Sequence, residues 1–172
     1  MMLTEKETGL LNDLKTQEQL CVEKYGKYAQ QANDPALSQL FDSIRQVEQR
    51  HVQMVDQMLQ GTLPQQNQQN QQNQQAQGQN QQQNQQANQQ NLQNQRKPAP
   101  AYGAAPSQDK QLDTYLCQDA LSMEKHVSSL YDVSIFEFAD PAARQALNAI
   151  QADEQHHGEQ LYAYMARNGM YA

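Results

Sequence analysis

A run of glutamine and asparagine divides this chain into two short segments that must fold together. Between Gln65 and Gln95, 27 of the 31 residues are Gln or Asn. Such a tract has too few apolar side chains to form a core. About 60 residues remain on each side, which is near the lower limit for a stable domain. We therefore expect residues 1–60 and 109–172 to fold on each other, joined by a disordered linker at 61–108.

Charge and hydropathy exclude several classes of protein. The chain has 172 residues and a net charge of −7, and its twelve Lys and Arg are scattered, which argues against a nucleic-acid partner. No apolar run approaches the roughly 20 residues of a membrane span. The start, "MMLTEKETGLL", lacks the charged-then-apolar pattern of a signal peptide. We therefore expect synthesis in the cytoplasm without a signal peptide, and no membrane contact.

The first segment has the pattern of a helical hairpin. In "TEKE", Thr4 can cap a helix and Glu7 can complete a capping box. Inward positions then recur at steps of three and four, as one face of a helix requires: 11, 14, 18, 21, 25, 28 and 32. The motif "NDPA" starts a second helix, with Asp34 as N-cap and Pro35 in the first turn, and Gly61 ends it.

The second segment repeats this plan. One helix is predicted from about Asp109 to Phe138, and "ADPA" starts another that Asn168 and Gly169 close. A constant shift of 106 superposes the segments without a gap and leaves 13 identities in 53 positions, where chance would give about three to five. Because several identities are polar, shared amphipathicity does not explain them. The fold prediction is therefore all-α, a four-helix bundle made of two repeated hairpins.

Six polar residues that the repeat preserves fall on the inward faces of the predicted helices. The shift of 106 pairs the first three with the last three: Glu18, Glu48 and His51 with Glu124, Glu154 and His157. Each lies in phase with the apolar positions around it, so four carboxyl groups and two imidazoles should meet at one level of the core.

Four buried carboxylates need a counter-charge. An isolated buried carboxylate costs several kcal/mol, and four close together also repel one another. The nearby cations Arg50 and Lys125 lie off the inward faces. Two divalent ions would balance a charge of −4, and a ligand set of carboxylates with imidazoles suits iron or manganese. We therefore predict a centre of two Fe or Mn ions.

The same six residues resemble the ligand set of ferritin-like di-iron and di-manganese bundles. In that superfamily two helices each supply one Glu, and the other two each supply Glu-x-x-His. The resemblance implies that Glu18 and Glu124 are the single ligands, and that Glu48 and Glu154 bridge the ions. It also implies a neighbouring role for Tyr25 and Tyr131, which lie two turns after the single glutamates.

Other reactive side chains have simpler interpretations. Cys21 and Cys117 fit neither a disulfide scaffold nor a thiolate cluster, and the default is that both are small buried apolar residues; a redox pair is the alternative. His126 and His156 lie off the inward faces, so we expect both in contact with water.

The C-terminal segment resembles the coat F type of spore coat protein from endospore-forming bacteria. The features that carry the resemblance are "SSLYDVSIFEF", "ALNAIQADEQHHGEQ" and the ending "NGMY". It implies a structural protein made in the mother cell and placed in the spore coat, with other coat proteins as partners. The resemblance leaves open whether the protein forms a homo-oligomer.

Two questions of function remain open at this stage. The bundle could be structural, with its metal centre as a stabilising element, or it could be a metalloenzyme that acts on peroxide or oxidises Fe(II). The Gln/Asn tract could be only a tether, since forty flexible residues easily span a bundle. It could also take part in coat assembly, through polar β-type association or through cross-linking of Gln to Lys.

Overall fold

The computed structural model describes residues 2–64, 101–103 and 107–171. Within these ranges every regular element is an α-helix, as predicted: α1 (Glu5–Gln31), α2 (Pro35–Leu59), α3 (Gln108–Glu137) and α4 (Pro141–Arg167). The predicted disorder of the Gln/Asn tract concerns residues outside these ranges. None of the described helices has the length and apolar character needed to cross a membrane.

The helices begin and end where the local sequence indicated. Thr4 and Glu7 form a complete capping box at the start of α1, because the Thr4 hydroxyl accepts from the Glu7 N–H and the Glu7 carboxylate accepts from the Thr4 N–H. Asp34 and Asp140 cap α2 and α4 through the N–H groups two residues later. Gly61 and Gly169 follow α2 and α4 with positive φ angles of 77° and 59°, a conformation that favours glycine.

One face of each helix is buried in a common core. The predicted positions of α1 from Leu11 to Tyr28 are all buried, and Phe41, Ile44, Val127 and Ile150 are completely excluded from solvent. A fully buried side chain of this size contributes about 1.5–3 kcal/mol by leaving water. The core is therefore continuous across both hairpins, as the short length of each segment required.

Contacts at the two ends of the bundle determine the direction of each helix. Lys15 and Asp56 form an ion pair at 2.5 Å, so the first half of α1 lies beside the last turns of α2. The Asp113 carboxylate, near the start of α3, accepts from the backbone N–H groups of Asn33 and Asp34, at 2.9 Å each. The start of α3 therefore lies at the turn between α1 and α2, and the end of α2 lies at the opposite end.

The two hairpins hold each other through equivalent contacts. The Glu7 carboxylate accepts from the N–H of Ala139, in the turn between α3 and α4, at 3.1 Å. The shift of 106 relates Glu7 to Asp113 and Asn33 to Ala139, so each hairpin holds the turn of the other with an acidic side chain near its first residue. The sequence repeat is thus also an approximate two-fold symmetry of contacts.

The chain re-enters the bundle through residues 101–103. The N–H of Ala101 donates to the Asn168 side-chain oxygen at 2.8 Å, and the Tyr102 hydroxyl donates to Asp113 at 2.6 Å. These contacts attach the segment before α3 to the end of the bundle where α4 finishes.

Replacing Glu7 by Ala should destabilise the bundle in a pH-dependent way. We expect a loss of about 1–2 kcal/mol in the free energy of unfolding near neutral pH, because the capping box and the contact with Ala139 are both lost. Hydrogen bonds from the Thr4 and Ala139 N–H groups lower the pKa of the Glu7 carboxyl. Its contribution is therefore present above the unfolded pKa of about 4.3 and disappears as pH falls through the lower folded value.

Urea unfolding of wild type and Glu7→Ala, followed by circular dichroism with EDTA present, tests this at about pH 7 and about pH 3. Glu5→Ala is the matched control, since Glu5 is exposed in the same helical turn. An equal difference between wild type and Glu7→Ala at both pH values would contradict the prediction.

Candidate metal centre

The six predicted ligand residues lie together in the middle of the core. Each of the six residues is at most 2% exposed, and all four helices contribute to the set: Glu18 from α1, Glu48 and His51 from α2, Glu124 from α3, and Glu154 and His157 from α4. Helical spacing alone brings each Glu-x-x-His pair to one face. The packing of the hairpins brings the two faces together.

The ligand atoms form two overlapping groups, each with atoms within 4.8 Å of one another. One group consists of Glu18, Glu48, His51 and Glu154, and the other of Glu48, Glu124, Glu154 and His157. Glu48 and Glu154 thus belong to both groups, while each single glutamate belongs to one. This is the arrangement expected of two adjacent ion positions that share two carboxylates.

Both histidines direct Nδ1 at the carboxylates. Nδ1 of His51 lies 3.0 Å from Oε1 of Glu154 and 3.2 Å from Oε2 of Glu48. Nδ1 of His157 lies 2.9 Å from Oε1 of Glu48 and 3.5 Å from Oε2 of Glu124, an ion-pair distance without the geometry of a hydrogen bond. Each imidazole therefore reaches the shared glutamate of the other hairpin through Nδ1: His51 reaches Glu154, and His157 reaches Glu48.

Two buried tyrosines hold the single glutamates. The Tyr25 hydroxyl donates to Oε1 of Glu124, and the Tyr131 hydroxyl donates to Oε1 of Glu18. Each tyrosine thus crosses to the opposite hairpin, which follows the same two-fold relation as the contacts at the bundle ends. One oxygen of each glutamate is fixed in this way, and the other oxygen, Oε2, has no hydrogen-bond partner among the described residues.

Burial changes the protonation of the site. It raises the pKa of Glu18 to about 7 and that of Glu154 to about 9. Burial opposes ionisation of the histidines too, but their carboxylate contacts outweigh it and raise the pKa of His157 to about 10 and that of His51 well above its ordinary value. Burial also opposes ionisation of Glu48, yet the contacts with both histidines lower its pKa to about 2. Without metal, protons neutralise this site.

The unsatisfied atoms test whether the site fits a metal. Six buried ligand atoms have no hydrogen bond among the described residues: Oε2 of Glu18, Oε1 of Glu48, Oε2 of Glu124, both oxygens of Glu154 and Nδ1 of His157. Buried polar atoms are normally paired, and leaving each unpaired costs about 1–3 kcal/mol. The donor set is carboxylate oxygen with imidazole nitrogen, which suits iron and manganese. The residues therefore fit a dinuclear centre.

Asp153 is a neighbour of the site that the periodicity did not indicate. Its Oδ2 lies 3.2 Å from Nε2 of His51, the ring nitrogen that faces away from the carboxylates. The Asp153 side chain is 55% exposed. Its position in the helical periodicity lies off the inward face and therefore indicates only a surface residue. The hydrogen bond from His51 is the main reason that the pKa of Asp153 is lowered. No pattern in the sequence distinguishes this aspartate from the other exposed acidic residues.

The remaining reactive side chains lie as predicted. Cys21 and Cys117 are free and buried. Burial, reinforced by the glutamates of the site, raises the pKa of the Cys21 thiol far above its ordinary value, and burial raises that of Cys117 to about 12. Both are therefore neutral thiols at physiological pH. His126 and His156 are exposed.

The second hairpin carries the likeness to a known family. Residues 112–172 match the Coat F domain. This match supports the coat F relationship that the sequence motifs indicated, and it spans most of α3 and all of α4. No curated protein and no solved structure matches the chain. The Coat F match includes Glu124, Glu154 and His157, whereas the other three ligand residues lie in the first hairpin.

The melting temperature of the metal-free protein should fall as pH rises from about 6.5 to about 9. In this range the unfolded chain has released most of the protons of Glu154, His51 and His157, while the folded chain retains them because their pKa values are raised. Glu18, whose pKa is raised only to about 7, contributes near the start of the range. The folded state then binds more protons than the unfolded state, so its stability falls with pH.

Thermal unfolding by circular dichroism, with EDTA in each buffer, measures this slope. Glu154→Gln should flatten it, because the amide needs no proton to be neutral in the core. The exposed His156→Ala should keep the wild-type slope. A wild-type melting temperature that rises over this range would overturn the prediction.

Proposed function

We propose that this chain is a structural protein of the spore coat whose four-helix bundle is ferritin-like and holds two iron or manganese ions. The Coat F match of residues 112–172 supports the coat role and, with it, other coat proteins as partners. The helix order supports the ferritin-like fold, since the end of α2 and the start of α3 lie at opposite ends of the bundle, as a long crossover requires.

The observation that carries the metal proposal is the set of carboxylate oxygens that lack a hydrogen bond in a core that excludes water. All four glutamates are at most 2% exposed, and each has at least one oxygen without a hydrogen bond among the described residues. Two divalent ions would satisfy these atoms and balance the four negative charges. A purely apolar core of the same shape would need none of these residues.

Each ligand has a role in this proposal. Glu18 and Glu124 would each bind one ion, with the tyrosine hydrogen bonds fixing their orientation. Glu48 and Glu154 would bridge, because each belongs to both ligand groups. His51 and His157 would bind through Nδ1. When bound, the ions supply Lewis-acid and redox chemistry.

In a coat protein the main consequence of such a centre is mechanical. The ligands come from all four helices, so the ions would join the two hairpins at mid-height where no covalent link exists within the described residues. Metal binding stabilises only the folded state, by about 4 kcal/mol when free metal is at about 1,000 times Kd.

The metal content of protein purified from its host tests this proposal. We expect about two Fe or Mn per chain by elemental analysis, and a melting temperature that drops when EDTA removes them. His157→Ala should lose at least one ion, whereas His156→Ala should retain both. Of these two neighbouring histidines, only His157 faces the carboxylates. Equal melting with and without EDTA, together with no bound metal, would refute the metal centre.

An enzymatic role is the second candidate, and the buried tyrosines favour it. Tyr25 and Tyr131 place phenol hydroxyls directly on Glu124 and Glu18, so each could pass a proton to the glutamate that it contacts. The substrates would be peroxide or Fe(II).

Peroxide consumption and Fe(II) oxidation by the metal-loaded protein separate the two roles. An enzyme should lose at least about 100-fold in rate in Tyr25→Phe, the usual size of a proton-transfer contribution. It should also lose activity in Glu48→Ala, because that variant lacks a residue of both ligand groups. A wild-type rate equal to that of Glu48→Ala leaves the structural role alone.

A further inference from the structure

The sequence repeat is broken at a position next to the ligands. The shift of 106 relates the glutamates, the histidines and the tyrosines of the two hairpins to one another. The tyrosine–glutamate hydrogen bonds repeat accordingly, as does the contact of each histidine with the shared glutamate of the other hairpin. Asp153, however, corresponds to Val47. An acidic residue thus stands beside His51, and the position that the repeat relates to it is apolar.

Asp153 determines how His51 presents its ring. An ionised carboxylate only accepts hydrogen bonds, so its contact at 3.2 Å places the ring proton on Nε2 of His51. When a metal ion replaces the proton on Nδ1, which faces Glu48 and Glu154, the remaining ring proton stays on Nε2, where Asp153 accepts it. A carboxylate behind a metal-binding histidine fixes its tautomer and its orientation and makes it a stronger ligand.

His157 has no such support. Val47 offers no hydrogen-bond acceptor from its side chain, and within the described ranges no group hydrogen-bonds to Nε2 of His157. Its ring is therefore held by packing and by the ion pairs of Nδ1 alone. When Nδ1 of His157 binds an ion, no acceptor among the described residues holds the proton that the ring then carries on Nε2.

We propose that the two ion positions differ in affinity, and that Asp153 makes the position formed by Glu18, Glu48, His51 and Glu154 the one that fills first. This inference rests on the proposed metal centre and deepens it by assigning an order to the binding. Asp153 is a positioning residue, since it acts through His51. Removing a supporting carboxylate of this kind typically weakens metal binding by about 10–100-fold.

Titration of metal-free protein with Mn(II) tests the order of binding. The signal of free Mn(II) in electron paramagnetic resonance reports how much ion is bound at each addition. Wild type should bind two ions in two steps whose dissociation constants differ by about 10–100-fold. Asp153→Val should weaken the tight step by that factor and leave the weak step unchanged, so that the two steps merge.

The reverse change gives an independent test. Val47→Asp should strengthen the weak step about 10–100-fold, because it supplies the missing acceptor beside His157. Asp132→Val is the matched control for loss of a negative charge, since Asp132 is exposed on α3. Both Mn(II) dissociation constants of this variant should equal those of wild type. Thermal unfolding with EDTA checks that each variant folds.

The outcomes distinguish this inference from the proposal on which it rests. Two equal steps in wild type would overturn the inference and leave the metal centre intact. The absence of any saturable binding in wild type would overturn the metal centre itself. If Asp153→Val does not fold, Val47→Asp decides, because an unchanged weak step in that variant contradicts the role assigned to Asp153.

Discussion

The burial of four carboxyl groups and two imidazoles in one layer of the core is the constraint on which the rest of this bundle depends. Each uncompensated charge in such a place costs several kcal/mol, a large part of the total stability of a small domain. The metal-free protein meets this cost with protons, since the pKa values of Glu18 and Glu154 rise while both histidines remain charged. A pair of divalent ions would replace those protons and would make folding and metal binding one equilibrium.

The site also explains why neither hairpin is sufficient. Tyr25 reaches Glu124 and Tyr131 reaches Glu18, while Glu7 and Asp113 each hold the turn of the opposite hairpin. These contacts cross between the halves and leave each half with unsatisfied groups when it is alone. The Coat F match covers the second hairpin, but half of the ligand residues come from the first. Any metal chemistry would therefore belong to the assembled pair.

Symmetry within the chain provides an internal comparison. Several identical pairs of the repeat make equivalent contacts on both sides of the site, such as each tyrosine with the single glutamate of the opposite hairpin, which indicates a shared structural requirement. Where the repeat departs from identity, as at Asp153 and Val47, the two halves of the site receive different support. A single chain with two copies of a motif can thus make two neighbouring positions unequal without changing any ligand.

The sequence by itself determined the helices, their caps and the inward phase of the six polar residues, because helical periodicity and capping are local and act within a few residues. It also related the two hairpins through their repeat. Only the tertiary structure decided which tyrosine holds which glutamate, that Nδ1 faces the carboxylates, and that Asp153 stands behind His51. These are contacts between residues about 100 positions apart in the chain, such as Tyr25 with Glu124. Their partners depend on how the hairpins pack, and packing leaves no periodic signal in the sequence.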